Sequence, residues 1–307
     1  MKYVHELSYL EFNDFYHDIL PTGNLGKTLR GFIFRGESTS SYKLLPTSLR
    51  IEKQQDLWKM SRIADVIEKR EFEDNQIMAE LHALKNFYKL ANNQGLPLPS
   101  IKDFICGYDD VFSSSFFPNK MTEWLSTEFV ELAALAQHFG VMTRLLDWTY
   151  NFHVALYFAS IGACKRKEKN GLIENDKIIL WALDVEFIQT LEYPYSPLRF
   201  IVPSYAMNKN IYAQQGILSH WILNLNDKNK IKSAKIHRVN RTPLDELIEN
   251  HEWISNKPIL YKISLPVSNS NFIFSFLYNL GYSASKIFPG YNNIVREMEE
   301  YRFLVRI

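Results

Sequence analysis

Apolar side chains at Phe12, Phe15, Tyr16 and Ile19 recur at helical spacing, and Pro21 ends the run. Ser8 and Glu11 precede them at capping-box spacing, so the chain is predicted to open with a short helix. Next, Arg30 to Gly36 holds a short hydrophobic centre bounded by glycines and reads as a strand. From about Gln54 to Leu90 there is no Pro or Gly, and Glu80, Leu84 and Phe87 share a face, which predicts one long helix or two shorter ones. A further helix is expected from Thr122 to Phe139, with Gly140 ending it in a left-handed cap. Val141 to Trp148 reads as a strand, Asn151 as an N-cap, and Phe152 to Ala163 as a helix so apolar that it must be buried. The charged stretch at 165–176 is expected to be a surface loop. Strands are expected at Lys177–Asp184, Ile217–Asn224 and Lys257–Pro266, with a polar, basic hairpin tip or insertion at 226–240. A short helix begins around Pro243, placed at its first position, and two more follow at Asn269–Leu280 and Pro289–Glu300. Helices come first and mixed strands and helices later, without regular βαβ alternation, so the fold class is α+β.

Composition narrows this picture. With 307 residues the chain can bury a full core, and 35 Lys and Arg against 34 Asp and Glu give it no global pull toward nucleic acid or an anionic membrane. Cys106 and Cys164 stand alone, without metal-ligand or disulfide-framework spacing, as suits a reducing compartment. The first dozen residues are too polar for a signal peptide, and no apolar run reaches the roughly 20 residues that cross a bilayer. A cytoplasmic protein with no membrane partner is expected. Neither a phosphate-binding Gly-rich loop nor a His-Glu-x-x-His zinc motif occurs, so no metal is expected.

Three separated blocks carry more specific information. The first is Phe34-Arg35-Gly36, followed by Leu45-Pro46-Thr47-Ser48-Leu49-Arg50. The second runs from Gln137-His138-Phe139-Gly140 through Thr143-Arg144-Leu145-Leu146-Asp147-Trp148-Thr149 and continues in Ala155-Leu156-Tyr157-Phe158-Ala159. The third is Ala213-Gln214-Gln215-Gly216, echoed by Ile287-Phe288-Pro289-Gly290. Together they resemble the FRG domain family, whose name is the Phe-Arg-Gly tripeptide. The resemblance implies a single FRG-domain protein over 1–307. Within it, an N-terminal helix occupies 1–23 and a core with a helical insertion at about 54–125 occupies 24–165. The remaining strands and C-terminal helices fill 166–307.

The same blocks resemble, more distantly, the Arg-Ser-Glu type ADP-ribosyltransferases, which implies a split mixed sheet with an N-terminal helical elaboration and NAD as substrate. By that likeness Arg35 would grip phosphate or ribose with its planar fork of donors, and Gly36 would admit close backbone approach. Asp147, Thr149 and Gln214 complete the expected catalytic set. Phe34, Gln137, His138, Arg144, Trp148 and Gln215 are expected around the nucleotide, with Trp148 able to stack on a base. For each there is a plainer alternative: an Arg35–Asp147 ion pair, helix capping by Asp147, Thr149 or His138, and core packing for Ala155 and Phe158. Arg144 and Asp147 stand three apart and cannot share a face of one straight strand, so a bulge or separate roles must follow. Gln214 can hydrogen-bond a ribose hydroxyl but cannot act as a carboxylate base. Two functions therefore stand. One is an NAD-using transferase or glycohydrolase of a bacterial toxin or antiviral defence system, with a protein or nucleic-acid acceptor. The other is a sensor module that binds a nucleotide or peptide without turnover. A third, nucleic-acid binding by Lys228, Lys230, Lys232, Lys235, Arg238 and Arg241, rests on the basic run alone.

Overall fold

A computed structural model describes residues 2–63, 72–101, 123–171, 175–191, 196–203, 209–224 and 238–306. Cys106, Ser113–Ser115 and the lysines of the basic run lie outside them. The strands are β1 (Val4–Ser8), β2 (Ile33–Glu37), β3 (Glu123–Trp124), β4 (Leu146–Thr149), β5 (Lys177–Leu183), β6 (Leu198–Ile201), β7 (Gly216–Trp221), β8 (Leu223–Asn224) and β9 (Leu260–Pro266). Seven form one mixed sheet in the order β1-β9-β5-β2-β4-β7-β6, in which only β1 and β9 run parallel; β3 and β8 pair separately.

Alternation along β5 shows how the sheet is clad on both faces. Ile178, Leu180 and Ala182 join the core under the Phe152–Asn170 helix, whose other side packs on the Ser270–Asn279 helix. Ile179, Trp181 and Leu183 point the other way, into a core with Trp148, Leu244, Ile248 and Trp253. A third core lies between the Glu73–Asn93 and Thr127–His138 helices, around Leu81, Leu84, Phe129 and Leu132, and reaches the sheet at Leu218.

Several expectations need correction. Ser8 does not cap the first helix: it is the last residue of β1, paired with Ser264, and the Phe12–Ile19 helix starts at Glu11 without a side-chain cap. The N-terminal 23 residues thus hold an edge strand as well as a helix. Of the two alternatives for the stretch from Gln54, the described residues hold two helices, Gln54–Ser61 and Glu73–Asn93, as the second had it. The charged residues from Lys165 to Asn170 are the last turns of the Phe152 helix rather than a loop. Their stems stay useful there: Lys165 and Arg166 make ion pairs with Glu300 and Asp176. Pro243 is the N-cap of the Leu244–Asn250 helix, one position earlier than expected. Gly140 does take a positive φ of 92°, and the Gly140 and Val141 amides donate back to the Gln137 and Ala136 carbonyls, closing the Thr127–His138 helix with a Schellman motif. No helix among the described residues is long and apolar enough to cross a membrane.

Candidate functional site

The sheet is continuous in hydrogen bonding except at one seam. β2 pairs with β5 over five residues and β4 pairs with β7 over four, yet β2 and β4 share a single register pair, Phe34 with Thr149. Continuing that register would set Gly36 opposite Asp147. The ladder stops instead, and the Arg35 guanidinium bridges the gap: Nη1 donates to the Asp147 carbonyl at 2.9 Å and Nε to Glu37 Oε1 at 2.8 Å. Arg35 and Glu37 lie two apart on one strand and so share a face. Burial works against the charge on Arg35, whose side chain is 17% exposed, but Glu37 and Asp147 outweigh it and raise its pKa above the ordinary arginine value. Among the described residues no protein group engages Nη2.

Beside this seam opens a cavity of about 500 Å³, within the roughly 300–1,000 Å³ usual for small-molecule sites. All three sequence blocks line it. Phe34, Arg35 and Gly36 come from β2; Asp147, Trp148 and Thr149 come from β4. Gln137 and His138 come from the helix end, and Gln214 from the turn before β7. Phe288 and Asn293 arrive from the C-terminal helices, and Asn210 precedes Gln214. Asp147 is the one carboxylate among these residues. Its Oδ1 accepts from Gln137 Nε2 at 2.8 Å, and Oδ2 stands 3.8 Å from Arg35 Nη1. Gln137 is oriented in turn by the Thr143 hydroxyl, which donates to its Oε1. His138 Nε2 lies 3.2 Å from Asn210 Nδ2, where an unprotonated ring nitrogen can accept from the amide. Burial lowers the His138 pKa and the Asp147 charge only partly opposes this, so the ring is neutral at pH 7.

Other expected contacts have different positions. Arg144 does not reach the cavity: it is buried before the start of β4, where Glu80 takes its Nε and Glu73 its Nη2. Separate roles, not a bulge, resolve its spacing from Asp147. Trp148 borders the cavity, but its indole is 3% exposed, packs in the core on the far face and donates to Ser219 Oγ at 2.8 Å. No ring face is left for a base. Gln215 is the turn residue before β7, at φ 49°, with its carbonyl accepting from Tyr150; it does not line the cavity. The Thr149 hydroxyl donates to the Gln214 carbonyl at 2.6 Å and accepts from the Asn151 amide, so it ties the third block to the second. Asn151 caps the Phe152 helix through the His153 amide, as expected. Gly36 admits a neighbour, but the neighbour is the protein itself: a Cβ there would stand 1.8 Å from the Ala155 carbonyl oxygen.

The sequence reading missed Glu37, Asn210 and Asn293. Glu37 had a signal, the i, i+2 spacing from Arg35 on a strand; the other two become visible only once the chain is folded. Comparison with curated proteins and with solved structures returns no match. Residues 30–169, which hold β2, β4 and all but the last residue of the Phe152 helix, match the family model of the FRG domain; the first two sequence blocks fall inside this match and the third outside it.

Proposed function

We propose that the seam cavity binds an NAD-type dinucleotide and that the chain is an ADP-ribosyltransferase-like protein. It would break the bond between nicotinamide and ribose and pass the ADP-ribosyl group to a macromolecular acceptor or to water. The observation that carries this reading is the seam itself. A mixed sheet parts between β2 and β4, where Arg35, its Nη2 unengaged among the described residues, faces a cavity whose one lining carboxylate is Asp147. A guanidinium edge suits phosphate. From the cavity lining Asp147 would stabilise positive charge developing on the ribose, and neutral His138 would take the proton of the acceptor. Gln214 supplies a hydrogen bond and no charge. The family resemblance adds the setting, a bacterial toxin or antiviral defence system.

A second reading, a sensor that holds the nucleotide without turnover, is favoured by Gln214 and by the ties of Asp147 to Gln137 and Arg35. Calorimetry with NAD and ADP-ribose, paired with an assay for released nicotinamide, separates the two. Binding with nicotinamide release supports the enzyme, and binding without release selects the sensor. Absence of binding to either ligand by folded protein sinks both.

A further inference from the structure

The C-terminal helix Tyr291–Glu300 is amphipathic, and it sits on the body with its polar side inward. Glu300 is buried, accepting from the Tyr157 hydroxyl at 2.8 Å, Lys165 Nζ at 2.7 Å and Arg296 Nε at 3.1 Å. Glu297 accepts from the Ser283 hydroxyl at 2.7 Å and from the Ser285 amide at 3.1 Å, and Arg296 lies over the Phe288 ring. The opposite side carries Tyr291, Ile294, Val295 and Met298, at the i, i+3, i+4, i+7 spacing of one helix face. These four are 89%, 48%, 56% and 60% exposed, and Tyr301 continues the stripe at 47%. An amphipathic helix that only completes a core turns its apolar side in. Here ion pairs hold the helix down, and the apolar side faces out.

We propose that this stripe is the face through which two copies of the chain associate about a two-fold axis, helix against helix. No charged side chain interrupts the four apolar positions, so the face meets its own copy without like-charge repulsion, as a two-fold contact requires. Absence of cations on it argues against nucleic acid as the occupant. The area is also adequate. Taken at their exposed fractions, the five side chains offer on the order of 500–600 Å² per copy, so two copies bury close to the roughly 1,200 Å² at which specific interfaces begin. Since Asn293 on the same helix lines the cavity, the contact would lie next to the site, although the proposal does not depend on what the site binds.

Sedimentation of the full chain over a concentration series tests this. The weight-average mass is expected to climb from the 36.1 kDa of one chain toward twice that. Val295→Glu and Met298→Glu should each return it to the single-chain value with unchanged circular dichroism. An Ile294→Cys variant, made in a Cys106→Ser background, should form an intermolecular disulfide because the proposed contact sets the two stripes against each other; this holds the test open should either Glu variant lose structure. A mass that stays at 36.1 kDa up to about 200 µM, or Glu variants that associate as well as the parent, would overturn the proposal.

Discussion

Replacing Arg35 by alanine removes the donor edge at the seam and leaves the Glu37 carboxylate, buried beside it, without its ion-pair partner. Nucleotide binding should disappear from calorimetry. Denaturant unfolding should also show a loss of about 1–3 kcal/mol, the cost of a buried group left unsatisfied. Arg35→Lys should restore part of the stability but little of the binding, because an ammonium does not reproduce the fork. Gly36→Ala carries a different expectation. Its new methyl would stand inside the Ala155 carbonyl, on the backbone of a helix packed on both sides. A loss of at least about 2 kcal/mol is expected, read as a lowered midpoint in urea. Arg35 was legible in the sequence because the Phe-Arg-Gly tripeptide is itself the family signature. The role of Gly36 was not, since sequence cannot say whether the space above a glycine is filled by ligand or by protein.

At the scale of elements, the buried trio of Glu73, Arg144 and Glu80 joins the Glu73–Asn93 helix to the chain entering β4, and Trp124 donates its indole N–H to Glu80 as well. Arg144→Met should cost roughly 3–5 kcal/mol, because two carboxylates would lose their cation in the interior. Whatever fraction stays folded should bind nucleotide as the parent does, since Arg144 is not among the residues that line the cavity; a selective loss of binding would contradict this placement. Long elements with a strong apolar run, such as the Phe152 helix, β5 and β9, were readable from the chain. β1 and β6 were not. Both are edge strands with partly exposed residues, so neither shows the apolar run or strict alternation by which a central strand announces itself. The three site blocks were likewise recognisable, but their meeting depends on β2 and β4 becoming neighbours across more than a hundred residues, which no local pattern encodes.

Two histidines make the whole molecule sensitive to acid. His220, on β7, is buried with neither ring nitrogen bonded among the described residues, and burial brings its pKa from 6.5 to about 4. His153, whose ring stacks against Tyr282 and meets the Tyr16 hydroxyl, is brought down to about 4 by burial as well. In both cases the unfolded chain takes up the proton at higher pH than the folded one. Stability is therefore complete above pH 6.5 and falls as the pH drops toward 4. For His220 the loss should approach about 3 kcal/mol. Denaturant midpoints at pH 7.5 and pH 5 should differ in that sense, and His220→Gln should flatten the difference.

The single register pair between β2 and β4 has a mechanical consequence. Along most of their length the two halves of the sheet are fastened by one guanidinium rather than by a row of peptide groups. Releasing that contact leaves the Phe34–Thr149 pair and every other ladder intact. A guest that offers Arg35 a better anion than the Asp147 carbonyl therefore competes with one side-chain contact and with no peptide ladder, while the core that holds Ile33 and Trp148 together keeps the halves in place.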